Sequence, residues 1–259
     1  MSFAHSVAAA IKSKDYCEVG IVSHQDLDSR IAAALEKSRA LLLSLRTAES
    51  IWTGDLSASA LSTATAVVAL DLVKCHAATV PPGLDQRVKA GIAWLLANAN
   101  ADGGWGDTVQ SHSNISTTTL VWAALTGPGS LTSDVAVIKN AENWLIARTG
   151  SLEPDRIAAA IVERYGTDRT FSAPILTHCA LSGRFGEGRE AWRRVIPLPF
   201  ELAAFPARWF GALRLPVVSY ALPALIAIGY ARHYHAPSAN PLARWVRSFL
   251  SQRVFRVLD

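Results

Sequence analysis

The chain has 259 residues, half of them hydrophobic and only 18% charged, with a formal net charge of +4 at pH 7. That length supports one large domain or two small ones with a substantial core, and the apolar excess predicts extensive burial or contact with a greasy surface. The positive charge is small and scattered, with no basic block interleaved with aromatics, which argues against a nucleic-acid partner and suits only weak attraction to an anionic membrane surface.

The N-terminal stretch Met1 to Lys14 holds a short apolar run, Val7 to Ile11, and no cleavage-like site, so export is not expected. Residues 1–30 read as an N-terminal segment ahead of a single domain over 31–259. Within that domain the first predicted element is an amphipathic helix over Ile31 to Arg46, its solvated start marked by Asp26-Leu27-Asp28. A turn at Trp52-Thr53-Gly54-Asp55 follows, and then a small-residue helix from about Leu61 to Val73. The same sequence of features returns as an amphipathic helix over Gln86 to Ala99, a turn at Trp105-Gly106-Asp107, and a helix from Ile115 to Leu125. Trp52 and Trp105 are 53 residues apart, so the pattern is an internal repeat of helix, tryptophan turn, helix.

The inner helices are rich in Ala, Val, Ser and Thr and are expected to pack closely on all sides. Ser57 or Ser59, and Ser113, Asn114 or Ser116, suit their N-caps. Glycine at Gly103 and Gly104 permits the positive φ of a tight turn, and the indoles are expected to stack against helix ends. A third unit starts with Val137 to Arg148 and ends in Thr149-Gly150-Ser151 without a tryptophan turn, and its partner helix covers Asp155 to Arg164. Phe171 to Ser182 is apolar, Gly183 to Arg189 is a Gly/Arg-rich loop, and Val195 to Leu202 is a proline-set turn into a short helix. Leu213 to Ala231 carries one charge, Arg214, but Pro216 and Pro223 interrupt it, which predicts a kinked core helix in preference to a membrane span. Asn240 to Asp259 reads as a basic amphipathic helix. No period-2 strand pattern competes, so the class is all-α.

Cys17, Cys75 and Cys179 are few and odd in number, as in a reducing cytoplasm. Cys75-His76 and His178-Cys179 raise the idea of a metal site, but adjacent helical residues point about 100° apart and rarely supply two ligands to one ion. Small buried thiols with partly exposed imidazoles are the plainer expectation, and neither a metal nor a cofactor is expected.

Several segments together carry a resemblance. Lys89 to Trp94 leads through Asn98 to Asp102-Gly103-Gly104-Trp105, and the first copy keeps Trp52 but has Ser50 where glycine is expected. Pro197-Leu198-Pro199-Phe200-Glu201-Leu202 and the stretch from Pro206 through Arg208-Trp209-Phe210 to Ser219-Tyr220-Ala221 follow in order. These resemble the squalene and oxidosqualene cyclase superfamily, the class II terpene cyclases. The first segment is similar to that family's repeated basic–aromatic–Gln–Gly-x-Trp motif, although the glutamine is missing. The others are similar to its Pro-Pro-Glu and Ser-Trp-Ala stretches.

The resemblance implies an (α/α) barrel, a toroid of helical hairpins, corresponding to the barrel that lies toward the N-terminus of the family's sequence. The other barrel bears an Asp-x-Asp-Asp acid, which starts cyclisation by protonating an alkene or epoxide. No Asp-x-Asp-Asp occurs in this chain, and no catalytic residue is assigned. Tyr220 falls where the family has a pocket tryptophan and is either a cavity residue or a core tyrosine. Trp209 and Phe210 line the same space or pack in the core, and Glu201 pairs with a basic residue across the barrel interface or caps a helix. The inner-helix glutamates of bacterial squalene cyclases are replaced at Thr65 and Leu120, which puts the usual polar network in doubt.

The implied function is that of a squalene-hopene cyclase-like domain of triterpenoid metabolism. Its ligand would be an isoprenoid or triterpene-type hydrocarbon, and it would act with a second, acid-bearing barrel or subunit or as a shortened cyclase. The alternative is a non-catalytic isoprenoid-binding module. A prenyltransferase-type barrel would need a zinc-binding Asp/Cys/His set that the sequence does not assemble. Cytoplasmic location with peripheral membrane contact completes the expectation.

Overall fold

The structure, a computed structural model, describes residues 24–53, 57–127, 134–212 and 221–256, and it divides into two units, Met1–Leu56 and Ser57–Asp259. In the first unit, helix α1 runs His24–Ser44, opening before Ile31 and placing Asp26 in its first turn, where a carboxylate favours the helix dipole. The turn behind it is closed by hydrogen bonds from Thr47 N to the Ile51 carbonyl (2.8 Å) and from Ser50 N to the Thr47 carbonyl (3.0 Å).

The second unit begins with α2 (Ala60–His76), capped by the Ser59 hydroxyl, which accepts from Ser62 N. Then come α3 (Leu84–Ala97) and α4 (Ile115–Thr126), the latter capped by Asn114 accepting from Thr117 N at 2.9 Å. Both caps are among the residues the sequence offered for that role. Helix α5 (Val135–Thr149) ends at Gly150, whose φ of 81° lets the chain leave the helix left-handed. Helices α6 (Pro154–Tyr165) and α7 (Arg169–Leu181) complete the next hairpin.

A six-residue helix, α8 (Gly188–Arg193), forms at the end of the stretch expected to be loop. A 3₁₀ turn over Phe200–Ala204 and α9 (Ala207–Ala212) follow. Helix α10 runs Leu222–His235 with Pro223 in its first turn. Pro223 thus opens a helix and does not kink one, because its missing N–H falls among donors that have no intrahelical partner there. The rest of the expected kinked helix, Leu213 to Tyr220, lies outside the described residues. The basic helix α11 (Pro241–Phe255) is capped by Asn240.

No β-strand occurs among the described residues, and no described helix is long and apolar enough to cross a membrane. The second unit is an all-α array of helical repeats, as in an (α/α) barrel: α3, buried on one face, separates α2 from the buried α4, and α5 and α6, each buried on one face, precede the buried α7. Inner helix α4 is buried at every position from Ser116 to Leu125. Most of its hydroxyls find partners outside the helix: Thr118 exchanges hydrogen bonds with the Trp105 backbone, Thr117 donates to Asp107 and Ser116 pairs with Tyr165, while the buried Thr119 Oγ1 has no partner among the described residues. Helix α2 differs from expectation: it packs mainly on α3 and α4 and buries only Ala60, Ala64, Val67 and Val68. The main core gathers Leu95, Trp105, Leu125, Trp144, Leu145 and Leu176, and a second cluster joins Phe200, Ala204, Ile226 and Val254. Gly229 allows that second contact, because a Cβ there would lie 2.8 Å from the Phe200 Cβ.

Candidate functional site

Three features concentrate chemistry: the tryptophan turns, the C-terminal ends of the inner helices, and the histidine–cysteine pairs. In the second turn, Asn100 N donates to the Gly104 carbonyl and Gly103 N to the Asn100 carbonyl, both at 2.9 Å, the bonding pattern already seen at residues 47–51. Trp105 Nε1 donates to the Leu95 carbonyl at 2.9 Å and Trp52 Nε1 to the Leu42 carbonyl at 2.6 Å, each reaching ten residues back. The indole thus bonds a carbonyl in the last turn of its own preceding helix, where intrahelical donors run out, and the Leu95 carbonyl accepts from Asn98 N as well, at 3.3 Å. Gly103 has φ +84°, and Ser50 holds φ +66° at the equivalent place, a conformation that costs an L-residue about 1–2 kcal/mol.

Around the second turn, the Asp102 carboxylate accepts from Gly104 N, the Ser113 hydroxyl (2.6 Å) and the Trp144 indole (2.8 Å). Burial pushes the Asp102 carboxyl up, but these hydrogen bonds outweigh it and hold the group below its ordinary value. Asp107 accepts from Asn114 and Thr117, fixing the start of α4. This network is structural, with each acceptor matched to a donor. The third unit's tryptophan, Trp144, therefore serves the second unit's turn.

At the far ends of the inner helices lies a cavity of about 140 Å³ between α2, α3, α4 and α7. Its walls are mostly apolar, with Val67, Leu72, Ile92 and Leu181 among them. Asp71 is its one acidic group, and the buried Oδ1 has no hydrogen-bond partner among the described residues. Next to it, sharing Leu72, His76 and Leu181, an open cleft of about 620 Å³ is lined by the last turns of α2, α7 and α10 and by Trp192, which stacks on His235 at 4.4 Å. Ligand pockets commonly span about 300–1,000 Å³, so the cavity alone is too small, and the cleft, though wider, is a shallow apolar depression open to solvent.

The residues singled out from sequence do not meet in that cleft. Tyr220 lies outside the described residues. Trp209 and Phe210 stand on α9, before α10 begins, whereas the cleft is at the end of α10. Trp209 is 53% exposed and stacks on Phe205 at 5.7 Å, so it is not a core residue, and Phe210 is half-buried. Glu201 receives Arg247 Nε on both carboxylate oxygens at 3.1 Å, joining the 3₁₀ turn to α11. Thr65 is exposed and bonds the Leu61 carbonyl, while Leu120 is buried.

The cysteine expectation is corrected in part: Cys75 is exposed, and it is His178, together with Cys179, that is buried. Burial lowers the His178 pKa to about 4, although the Leu120 carbonyl at 3.1 Å from Nε2 acts in the opposite direction. Burial likewise pushes the Cys179 thiol up to about 12. His178 is therefore a neutral hydrogen-bonding group between α7 and α4. Sequence reading passed over Asp71, whose signal was its position as the sole acid in the apolar helix α2.

A family model described as the squalene-hopene cyclase N-terminal domain matches residues 35–227. No curated protein and no solved structure matches the chain. The matched span runs from within α1 to within α10 and contains both tryptophan turns and all the inner helices up to α10. The chain belongs to the squalene-hopene cyclase N-terminal domain family.

Proposed function

We propose that this chain supplies the cavity-shaping, non-acidic barrel of a class II terpenoid cyclisation system and takes an isoprenoid-type hydrocarbon as its ligand. The observation that carries this reading is the pairing of a family match over residues 35–227 with a sequence holding no Asp-x-Asp-Asp. Protonating an alkene demands a strong, oriented acid. Among the ionisable groups described above, His178 is held neutral, Cys179 is a poor acid and Asp102 is locked as an acceptor, while Asp71 faces the small cavity without the neighbouring carboxylates of an Asp-x-Asp-Asp acid. The apolar lining of the open cleft at the inner-helix ends suits a greasy ligand. On this reading the acid comes from a second barrel, and the present one excludes water and holds the chain.

The test is incubation with squalene, alone and with an Asp-x-Asp-Asp-bearing barrel, followed by product analysis. Cyclised product only in the mixture supports the proposal, and product from this chain alone refutes it. Squalene binding without product in either arm favours a non-catalytic isoprenoid-binding module over a cyclase half.

A further inference from the structure

Helices α8, α10 and α11 build a groove of about 390 Å³ that shares no lining residue with the apolar cleft. Four arginines line it: Arg189 and Arg193 from α8, Arg232 from α10 and Arg247 from α11. Two have carboxylate partners. Arg247 is held by Glu201 at 3.1 Å and Arg193 by Glu190. The other two have none among the described residues: Arg232 donates to the carbonyls of Val195 and Ala236, and Arg189 reaches only the Pro237 carbonyl at 3.5 Å. Four guanidiniums thus face two carboxylates, and the surplus is positive.

Burial first, and then repulsion from Arg247, Arg189 and Arg193, holds the Arg232 guanidinium below its ordinary pKa. Like charges brought together this way weaken the folded state unless an anion joins them. Ser238 also lines the groove. Planar guanidiniums offer paired N–H donors that match the oxygens of a phosphate group and bind it more strongly than neutral donors would. Arg232 and Arg247 lie beyond the residues matched by the family, so the groove is not a feature of the matched domain alone.

We infer that this groove binds a phosphate-class anion, a phosphate monoester or diphosphate, through Arg189, Arg193, Arg232 and Arg247. The charge surplus is of the size that a phosphate carrying about −1.5 to −2 at neutral pH would neutralise. The chemistry is the same for a soluble prenyl diphosphate and for the headgroup of an anionic lipid. The inference stands whether or not the cyclase reading does.

The experiment is titration of the full chain with inorganic diphosphate and with farnesyl diphosphate by isothermal calorimetry, and flotation with phosphatidylcholine vesicles containing phosphatidic acid. Three variants accompany it: Arg189→Glu, Arg232→Lys, and Arg244→Ala as an exposed arginine on α11 outside the groove. Arg189→Glu is expected to weaken binding by at least roughly tenfold and Arg232→Lys by several-fold, with Arg244→Ala unchanged. Matching far-UV circular dichroism establishes that the variants are folded. Binding of the soluble esters assigns the site to a free ligand. Flotation alone, lost in Arg189→Glu, assigns it to a lipid headgroup. No binding of any phosphate probe, or equal losses in Arg189→Glu and Arg244→Ala, overturns the inference, the second outcome meaning a diffuse basic surface.

Discussion

Replacing each turn tryptophan by phenylalanine separates what the indole N–H contributes from where it stands. Trp105 is 1% exposed and its N–H satisfies the Leu95 carbonyl at 2.9 Å. In Trp105→Phe that carbonyl keeps the Asn98 backbone N–H, at 3.3 Å, but loses the indole donor, at a cost of about 1 kcal/mol. The smaller ring also leaves space in the main core, and together the two effects cost about 2 kcal/mol or more. Trp52 makes the same bond to the Leu42 carbonyl but is 48% exposed, so water replaces the lost donor and Trp52→Phe costs about 1 kcal/mol or less. Urea denaturation followed by far-UV circular dichroism measures both. Equal costs for the two variants would refute the argument that burial of the acceptor sets the energy of this turn.

Ser50→Gly, which relieves a left-handed serine at φ +66°, is expected to stabilise the first turn by about 0.5–1 kcal/mol, read in the same denaturation. Gly103→Ala should do the reverse and more, because the added Cβ would lie 3.1 Å from the Asn140 carbonyl oxygen as well as forcing φ +84° on alanine. For His178, the folded pKa of about 4 lies below its ordinary 6.5, so between those values the unfolded chain takes up a proton and the native chain does not. The stabilisation is therefore complete above pH 6.5 and declines by about 3 kcal/mol as pH falls to 4. His178→Gln should flatten that part of the stability–pH curve, and an unchanged slope would show that other groups cause it. Finally, iodoacetamide on the native chain should modify the exposed Cys75 and spare Cys179 until urea is added, as peptide mass mapping would show.

The repeat, the caps at Ser59 and Asn114 and the alternation of amphipathic and small-residue helices were legible because each rests on local chemistry: a periodic apolar stripe, a hydroxyl or amide before a helix, a glycine with positive φ. What sequence alone did not reveal depends on contacts between distant segments. Trp144 bonding Asp102 and His178 bonding the Leu120 carbonyl join residues 42 and 58 positions apart. The arginine groove likewise draws on α8, α10 and α11, and only its two α8 members are close in sequence. Pro223 was misread because a proline's effect depends on its position within a helix, which composition does not give. The half-exposure of α2 escaped notice for a similar reason, since a helix of small residues looks alike whether it has neighbours on two sides or on four.

The indole bond reaches back ten residues in both copies, although the residues between differ. It behaves as a ruler laid between the end of one helix and the start of the next connection. An added or deleted residue between Leu95 and Trp105, or between Leu42 and Trp52, would carry the indole past its carbonyl. The stretch beyond the indole obeys no such gauge: it runs from Trp52 to Ala60 in the first copy and from Trp105 to Ile115 in the second. Length variation in this repeat is therefore admitted on one side of the tryptophan only. A sequence grafted into the protein, whether a loop, a label or another domain, belongs downstream of Trp52, where the fold itself has already tolerated a difference.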